Sequence, residues 1–295
     1  MLICPKCDKT AVDSNHFKCT VCQYEIPKKN GVPCFSPELS EHNQGFDRRF
    51  FSELAKVEDG HFWFEGRNRV ILSSMRRFFP RSGRFLEIGC GTGFVLRGIQ
   101  RQFCQYQLTG SEIYTEGLKF ASERLPQVQF IQFDAKRVPF ISYFDGIGAF
   151  DVIEHIEEDE QVLKEIHKAL KPEGAVILSV PQHMFLWSRV DEQAFHKRRY
   201  SKNELVEKVR RAGFDVVYAT SFMSLLLPIM FVTRFSKRKK VADKMAEFTI
   251  SRLSNRVFEW VLALECFLTS KGGISWPAGG SLVLVARKLS SRDAV

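Results

Sequence analysis

"FLEIGCGTGF", residues 85 to 94, decides the fold. A short apolar run carries an acid, Glu87, and then meets three glycines, Gly89, Gly91 and Gly93, in the spacing G-x-G-x-G. The helical spacing of "FVLRGIQRQF" follows, so the stretch reads as strand, loop, helix. In an open α/β sheet ligands bind off the carboxyl ends of the strands. A glycine loop there lets backbone approach a ligand with no Cβ in between. The dinucleotide fingerprint G-x-G-x-x-G fails, because Phe94 stands where the third glycine belongs. A phosphate-binding P-loop fails as well, since no Gly-Lys-Ser/Thr follows.

The same alternation runs outward from this loop. "QLTGSEI", "VQFIQF", "FDGIGAFDVI", "AVILSV", "FDVVYA" and "SLVLVAR" read as strands. "TEGLKFASERL", "EDEQVLKEIHKAL" and "SKNELVEKVRRAG" read as helices, the last with Ser201 as N-cap, Glu204 three residues on and Gly213 as its stop. Strands alternating with helices predict a parallel sheet covered on both faces. Between the last two strands, 220–280 is a long insertion, expected to roof a substrate site. Its helix is expected to align Val257, Trp260, Val261, Leu264, Phe267 and Leu268 on one face.

Acids mark three consecutive strand ends. Glu87 at the loop mouth would repel a pyrophosphate and suits a cation, such as the ammonium and sulfonium of S-adenosylmethionine. Glu112 ends the second strand, where a carboxylate can accept both ribose hydroxyls. Asp134 ends the third, where adenine's exocyclic amine could donate to it.

"LEIGCGTG", "GSEI", "FDA" and "FDVIEHIEEDEQVLKEIHKALKPEGAVILSVP" resemble the class I S-adenosylmethionine-dependent methyltransferases. The branch they resemble most includes the ubiquinone-biosynthesis O-methyltransferases. The resemblance covers 84–219 and the final strand. It implies an α/β, Rossmann-like sheet of seven strands with the last antiparallel. It also implies cofactor roles for Glu87, Gly89, Gly91 and Gly93 on the methionyl side, Glu112 on the ribose, and Asp134 with Ala135 on the adenine. Cys90, Ile113, Phe150 and Asp151, in the same motifs, complete the expected cofactor-binding set. The family often has Asp where this chain has Glu112. "HFWFEGRNRV", 61–70, looks like a segment found ahead of the fold in this branch. There Trp63 could cover the cofactor and Arg67 pair with its carboxylate; Trp63 as core and Arg67 as a surface ion pair is the open alternative.

Methyl transfer to an alcohol or phenol needs a base as well as alignment. His155, after the fourth strand, is the first candidate, with Glu154, His183 and His196 behind it. The Asn/Asp-Pro-Pro-aromatic motif of adenine methylation is absent where "FDVIEH" stands, and no cysteine lies near the fourth or fifth strand for attack on cytosine. O-methylation, or N-methylation of a small molecule, leads. "FMSLLLPIMFVTRFSKRKK", 222–240, could rest on an anionic membrane and admit a lipid-like or carrier-linked acceptor, or could be a buried lid.

Cys4, Cys7, Cys19 and Cys22 form C-x2-C-x11-C-x2-C, the donor set of a closed structural Zn2+ site. The segment between is poor in apolar residues, so metal would supply the folding energy. The following "YEIPKKNGVPCF" looks like the strand and turn that close the ribbons of methyltransferase activator proteins. The expected organisation is a zinc ribbon at 1–40, a helical segment at 41–83 covering the cofactor site, and the methyltransferase domain at 84–295 with lids at 183–200 and 220–280.

The formal charge of +9 and 44% hydrophobic content suit a globular chain. No apolar run approaches the roughly 18 residues a membrane span needs. A cytoplasmic protein is the expectation. Two other functions stay open: an rRNA or tRNA methyltransferase that uses the ribbon on RNA, and a non-catalytic cofactor-binding scaffold.

Overall fold

The computed structural model describes residues 1–42, 50–236 and 250–289. The seven strands are β1 (Gly83–Ile88), β2 (Tyr106–Ser111), β3 (Gln129–Ile131), β4 (Phe144–Phe150), β5 (Leu170–Pro181), β6 (Phe214–Phe222) and β7 (Ser281–Lys288). They form one sheet in the order β6-β7-β5-β4-β1-β2-β3. The pairs from β5 to β3 are parallel, while β7 runs antiparallel between β5 and β6. The antiparallel last strand expected from the sequence is therefore present. The order reverses at β1 and β4, so the crevice opens at the end of β1, where the glycine loop begins.

Residues alternate across the sheet. Phe85 joins the core on one face, Leu86 and Ile88 the core on the other. The helices of five residues or more are α1 (Phe50–Val57), α2 (Phe62–Phe78), α3 (Phe94–Gln102), α4 (Thr115–Arg124), α5 (Asp159–Ala169), α6 (Arg189–Gln193), α7 (Lys202–Arg211), α8 (Leu227–Ser236) and α9 (Arg252–Ser270). The start of α7 is capped as expected: Glu204 N donates to Ser201 Oγ at 3.2 Å, and Ser201 N donates to Glu204 Oε2 at 3.4 Å. Gly213 follows it at φ +92°.

The insertion departs from expectation. α9 packs beside α2, where Leu262 meets Gly66 so closely that a Cβ there would lie 2.8 Å from Leu262 Cδ1. Phe62 N donates to Asn255 Oδ1 at 2.9 Å, and Arg69 pairs with Glu259 at 2.6 Å. The face that turns inward carries Leu262, Glu265 and Thr269. Of the expected apolar face, Val261 and Leu268 are half-buried, while Val257, Trp260, Leu264 and Phe267 are exposed, Trp260 to 80%. The stripe is real, but it looks outward rather than over a site. In the 222–240 segment, Ile229, Phe231 and Val232 of α8 are also exposed, and the basic run 237–240 lies outside the described residues.

The N-terminal segment is built onto the sheet edge. Two short hairpins, Val12–Asp13 with Lys18–Cys19 and Lys28–Lys29 with Val32–Pro33, surround the four cysteines. Cys34 then bridges Gln132 in parallel, just past β3. The free edge of β3 is thus covered. Leu2, Phe17, Ile26 and Phe35 share a core with Ile131, Phe133 and Phe140. Gln132 is the fastener: its side-chain amide donates to Ser36 O at 2.7 Å and Ile113 O at 3.1 Å, and its Oε1 accepts from Ser36 N at 3.1 Å.

Candidate active site

A cavity of about 450 Å3 lies at the carboxyl ends of β1, β2 and β4. All thirteen residues expected around the cofactor except Gly93 line it: Trp63, Arg67, Glu87, Gly89, Cys90, Gly91, Glu112, Ile113, Asp134, Ala135, Phe150 and Asp151. Gly93 instead starts α3, at φ +77°.

The loop needs its glycines. Gly89 sits at φ +69°, and a Cβ there would lie 2.4 Å from Val152 Cγ2, so both backbone and space exclude a side chain. Glu112 closes the loop from the next strand. Its carboxylate accepts from Gly91 N at 3.2 Å, Ile113 N at 2.8 Å and Tyr114 N at 3.3 Å. Burial raises its pKa against these donors. Burial pushes Glu87 further, well above the usual carboxylate range, with Arg67 pulling the other way. Glu87 Oε2 has no hydrogen-bond partner. Asp134 accepts from Lys136 N at 2.9 Å, and its own N–H donates to Ser36 Oγ at 3.4 Å.

Arg67 is buried and stacks over Trp63, 4.5 Å from the ring centroid. It pairs with Asp151, which is held at φ +56° just past β4. The surface ion pair left open by the sequence is thus replaced by a buried one, and Arg67 Nε still lacks a partner.

Sequence reading expected the 41–83 segment to cover the site but named none of the residues that α1 brings to the wall. Phe50, Phe51 and Leu54 of α1 line the cavity beside Glu58. Glu58 accepts from Thr92 Oγ1 at 2.6 Å and from Arg124 at 2.9 Å, tying α1 to the glycine loop and to α4. Thr92 inside the loop was the one signal, and it does not name its partner.

At the far end, the cavity is lined by Val152, His155, Ile156, Ala194 and His196. Burial lowers the His155 pKa to about 3, with His196 beside it acting the same way. The two rings stand edge to face at 4.7 Å. Glu154, fully buried behind them, has no partner at either oxygen. His183 lies outside this wall. The 183–200 stretch therefore contributes to the cavity through Ala194 and His196, whereas none of its lining among the described residues comes from 220–280.

The four N-terminal cysteines converge with all sulfurs within 4.8 Å of one another. Cys4 and Cys22 are 3.6 Å apart, and Cys7 and Cys19 3.7 Å. Tetrahedral zinc with Zn–S near 2.3 Å requires about 3.8 Å between sulfurs. The set fits a zinc ion held by four thiolates.

A family model described as a methyltransferase domain matches residues 62–219, from α2 through the helices and strands around the glycine loop to β6. The chain belongs to this family. The methyltransferase domain match begins at the helix carrying Trp63 and Arg67, so that helix is part of the family unit. A malonyl-[acyl-carrier protein] O-methyltransferase of Halalkalibacterium halodurans is 29% identical over 143 residues, 44% of this chain and 53% of that protein. A demethylmenaquinone methyltransferase of Thermotoga maritima is 25% identical over 170 residues, 48% of this chain and 74% of that one. The alignment to the first of these thus spans about half of the relative's length. Among solved structures, phosphoethanolamine N-methyltransferase 2 of Haemonchus contortus in complex with S-adenosyl-L-methionine superposes with a TM-score of 0.56 at 18% identity, over 90% of this chain and 62% of that one. That likeness speaks to the shared fold.

Proposed function

We propose that this protein is an S-adenosylmethionine-dependent methyltransferase acting on an oxygen of a small-molecule or lipid-like acceptor. The observation that carries the reading is the convergence of Glu87, Glu112 and Asp134 with a left-handed glycine loop in one cavity. Glu87 faces the cofactor's ammonium, and the backbone of Gly89, Cys90 and Gly91 lies along its methionyl chain. Gly93 supports that chain indirectly, by fixing the start of α3. Glu112 takes the ribose hydroxyls beside Ile113, and Asp134 with Ala135 takes the adenine amine. Arg67 keeps donors for the methionyl carboxylate while Asp151 holds it in place, and Trp63 and Phe150 shield the sulfonium from water. The ubiquinone-biosynthesis branch is the finer assignment, favoured by the "HFWFEGRNRV" and "DVIEHI" segments.

At the acceptor end the reaction is an in-line displacement: the acceptor oxygen bonds to the methyl carbon as the S–CH3 bond breaks, leaving S-adenosylhomocysteine. His155 is neutral there and can take the acceptor proton. The burial that keeps it neutral also makes it a weak base, so it needs an acceptor already made acidic. The zinc ribbon has no open coordination position and serves as a structural part. The test is transfer of labelled methyl from S-adenosylmethionine to hydroxylated small molecules, lipids and RNA in parallel. Transfer to RNA alone would replace the present acceptor class, and cofactor binding without transfer to any would favour a scaffold.

The exposed stripe of α9 favours the lipid-like branch of this reading. Leu253, Val257, Trp260, Leu264 and Phe267 recur at alternating steps of four and three, and Arg252, Arg256 and Lys271 flank them, all exposed. Apolar residues with a basic margin suit an anionic bilayer surface. No described helix is long and apolar enough to cross a membrane, so the contact is peripheral. We expect co-sedimentation with phosphatidylserine vesicles at low salt. Trp260→Glu should reduce it about tenfold, and equal sedimentation of the two proteins would remove the membrane contact.

A further inference from the structure

We propose that His196, held by Asp191, is the base that takes the acceptor's proton, so that the acceptor is an ordinary alcohol or phenol and need not be acidic beforehand. The catalytic role rests on the methyltransferase reading above; the arrangement of the two side chains does not.

The segment that builds the pair is short. At the start of α6, Ser188 N donates to Asp191 Oδ2 at 2.8 Å and Ser188 Oγ donates to the same oxygen at 3.2 Å. The turn after α6 then brings the chain back over this carboxylate. His196 N donates to Asp191 O at 2.8 Å, and the His196 ring places Nδ1 2.9 Å from Asp191 Oδ1. Arg199 Nε donates to that oxygen as well, at 2.7 Å, while Arg199 Nη1 donates to Gln182 O at 3.1 Å and ties the turn to the end of β5. Lys197 N donates to Glu154 O at 2.7 Å and ties it to the residues past β4. The ring is thus fixed from three sides.

Asp191 has no exposed surface. Burial alone would raise its pKa, but the bonds from His196 and Arg199 outweigh it and hold the carboxyl below the usual range. A charged carboxylate only accepts, so the ring proton of His196 sits on Nδ1. Nε2 of the neutral ring then carries the free lone pair. His196 lines the acceptor end of the cavity, and Nε2 is the nitrogen left for it. An imidazole held in one tautomer by a buried carboxylate is a competent general base, because the carboxylate also stabilises the imidazolium that forms.

His155 lacks this support. Burial lowers its pKa to about 3, and its Nδ1 is buried without a hydrogen-bond partner. Its ring packs edge to face on His196 at 4.7 Å and, being neutral, adds no positive charge beside the base. In the reaction the acceptor O–H proton moves to His196 Nε2 and the oxygen bonds to the methyl carbon. The S–CH3 bond breaks and its electron pair stays on sulfur. The products are the methyl ether, S-adenosylhomocysteine and a protonated His196. The His196 side chain keeps 14% of its surface exposed, which lets it return the proton to water. Asp191 is a positioning residue and takes no proton.

The test is the long-range 1H–15N spectrum of the histidine rings in the full-length, zinc-loaded protein at mildly alkaline pH, with His196 assigned by its loss in His196→Gln. The proton of His196 is expected on Nδ1, and a proton on Nε2 overturns the proposal. Turnover is read as labelled-methyl transfer to catechol, benzyl alcohol and benzylamine. His196→Gln should lower kcat for the hydroxyl acceptors about 100-fold or more, with KM and cofactor affinity held within about twofold. Asp191→Asn should also lower kcat, and His155→Gln much less. A His196→Gln variant with near-normal kcat overturns the proposal, as does wild-type transfer to benzylamine alone. Where a variant does not fold or none of the three acceptors is used, the wild-type spectrum decides. Calorimetry with S-adenosylmethionine on the same samples keeps the two readings apart. Cofactor binding with the proton on Nε2 removes only the base; the Nδ1 tautomer without cofactor binding removes the methyltransferase reading.

Discussion

Glu112→Ala is expected to weaken S-adenosylmethionine binding by about 10- to 100-fold while the protein stays folded. Hydrogen bonds to a charged group contribute about 1.5–3 kcal/mol each, and about 1.4 kcal/mol is a factor of ten. Two ribose hydroxyls on one carboxylate set the upper end of that range. The carboxylate also ties Gly91 to Ile113 and Tyr114, so the variant loosens the glycine loop as well. Glu112→Asp separates the two contributions: the charge stays, the reach shortens, and most of the affinity should remain. Isothermal calorimetry reads both, and an alanine variant that binds like wild type would remove Glu112 from the cofactor site. Acidification should act in the same direction. Burial raises both Glu87 and Glu112, so binding should begin to fail above the ordinary carboxylate range as pH is lowered.

Cys7→Ser is expected to abolish the ribbon as a folded unit. Small zinc modules draw about 10–16 kcal/mol of apparent binding energy from the ion, with little folding energy of their own. The hairpins here are two residues per strand, too short to persist without the metal. Metal analysis should find one zinc per chain in the wild type and about a tenth or less in the variant. Limited proteolysis should then cut within residues 1–36 of the variant and spare the sheet. A variant that keeps its zinc would show that three thiolates suffice, and the ribbon's dependence on the full set would be wrong.

The sheet was legible because its strands carry two redundant signals, apolar runs such as "AVILSV" and punctuation by glycine or a capped helix. Twelve of the thirteen residues expected around the cofactor line one cavity, most of them for a related reason: strand ends are fixed by topology, so a residue type at a strand end has a predictable position. The helix α9 was not legible in the same way. Its stripe of Val257, Trp260, Leu264 and Phe267 reads as a buried face by periodicity, and periodicity does not say which face meets the protein. Gly66 decided that, by letting the face with Leu262 and Thr269 come close to α2. Likewise Glu58, Thr92 and Arg124 meet only through the fold. His196 looked like one histidine among several until α6 and the turn after it brought it against His155.

Gln132 ties together two regions that also share a core. One side chain holds Ser36 at the end of the N-terminal segment and Ile113 beside the proposed nucleoside pocket, and its neighbours in sequence lead directly to Asp134 and Ala135. Free-energy coupling of this kind is reciprocal. Occupancy of the nucleoside pocket would slow hydrogen exchange at Phe35 N, which donates to Gln132 O at 2.8 Å. By the same coupling, the availability of zinc would tune how strongly the protein holds its proposed cofactor.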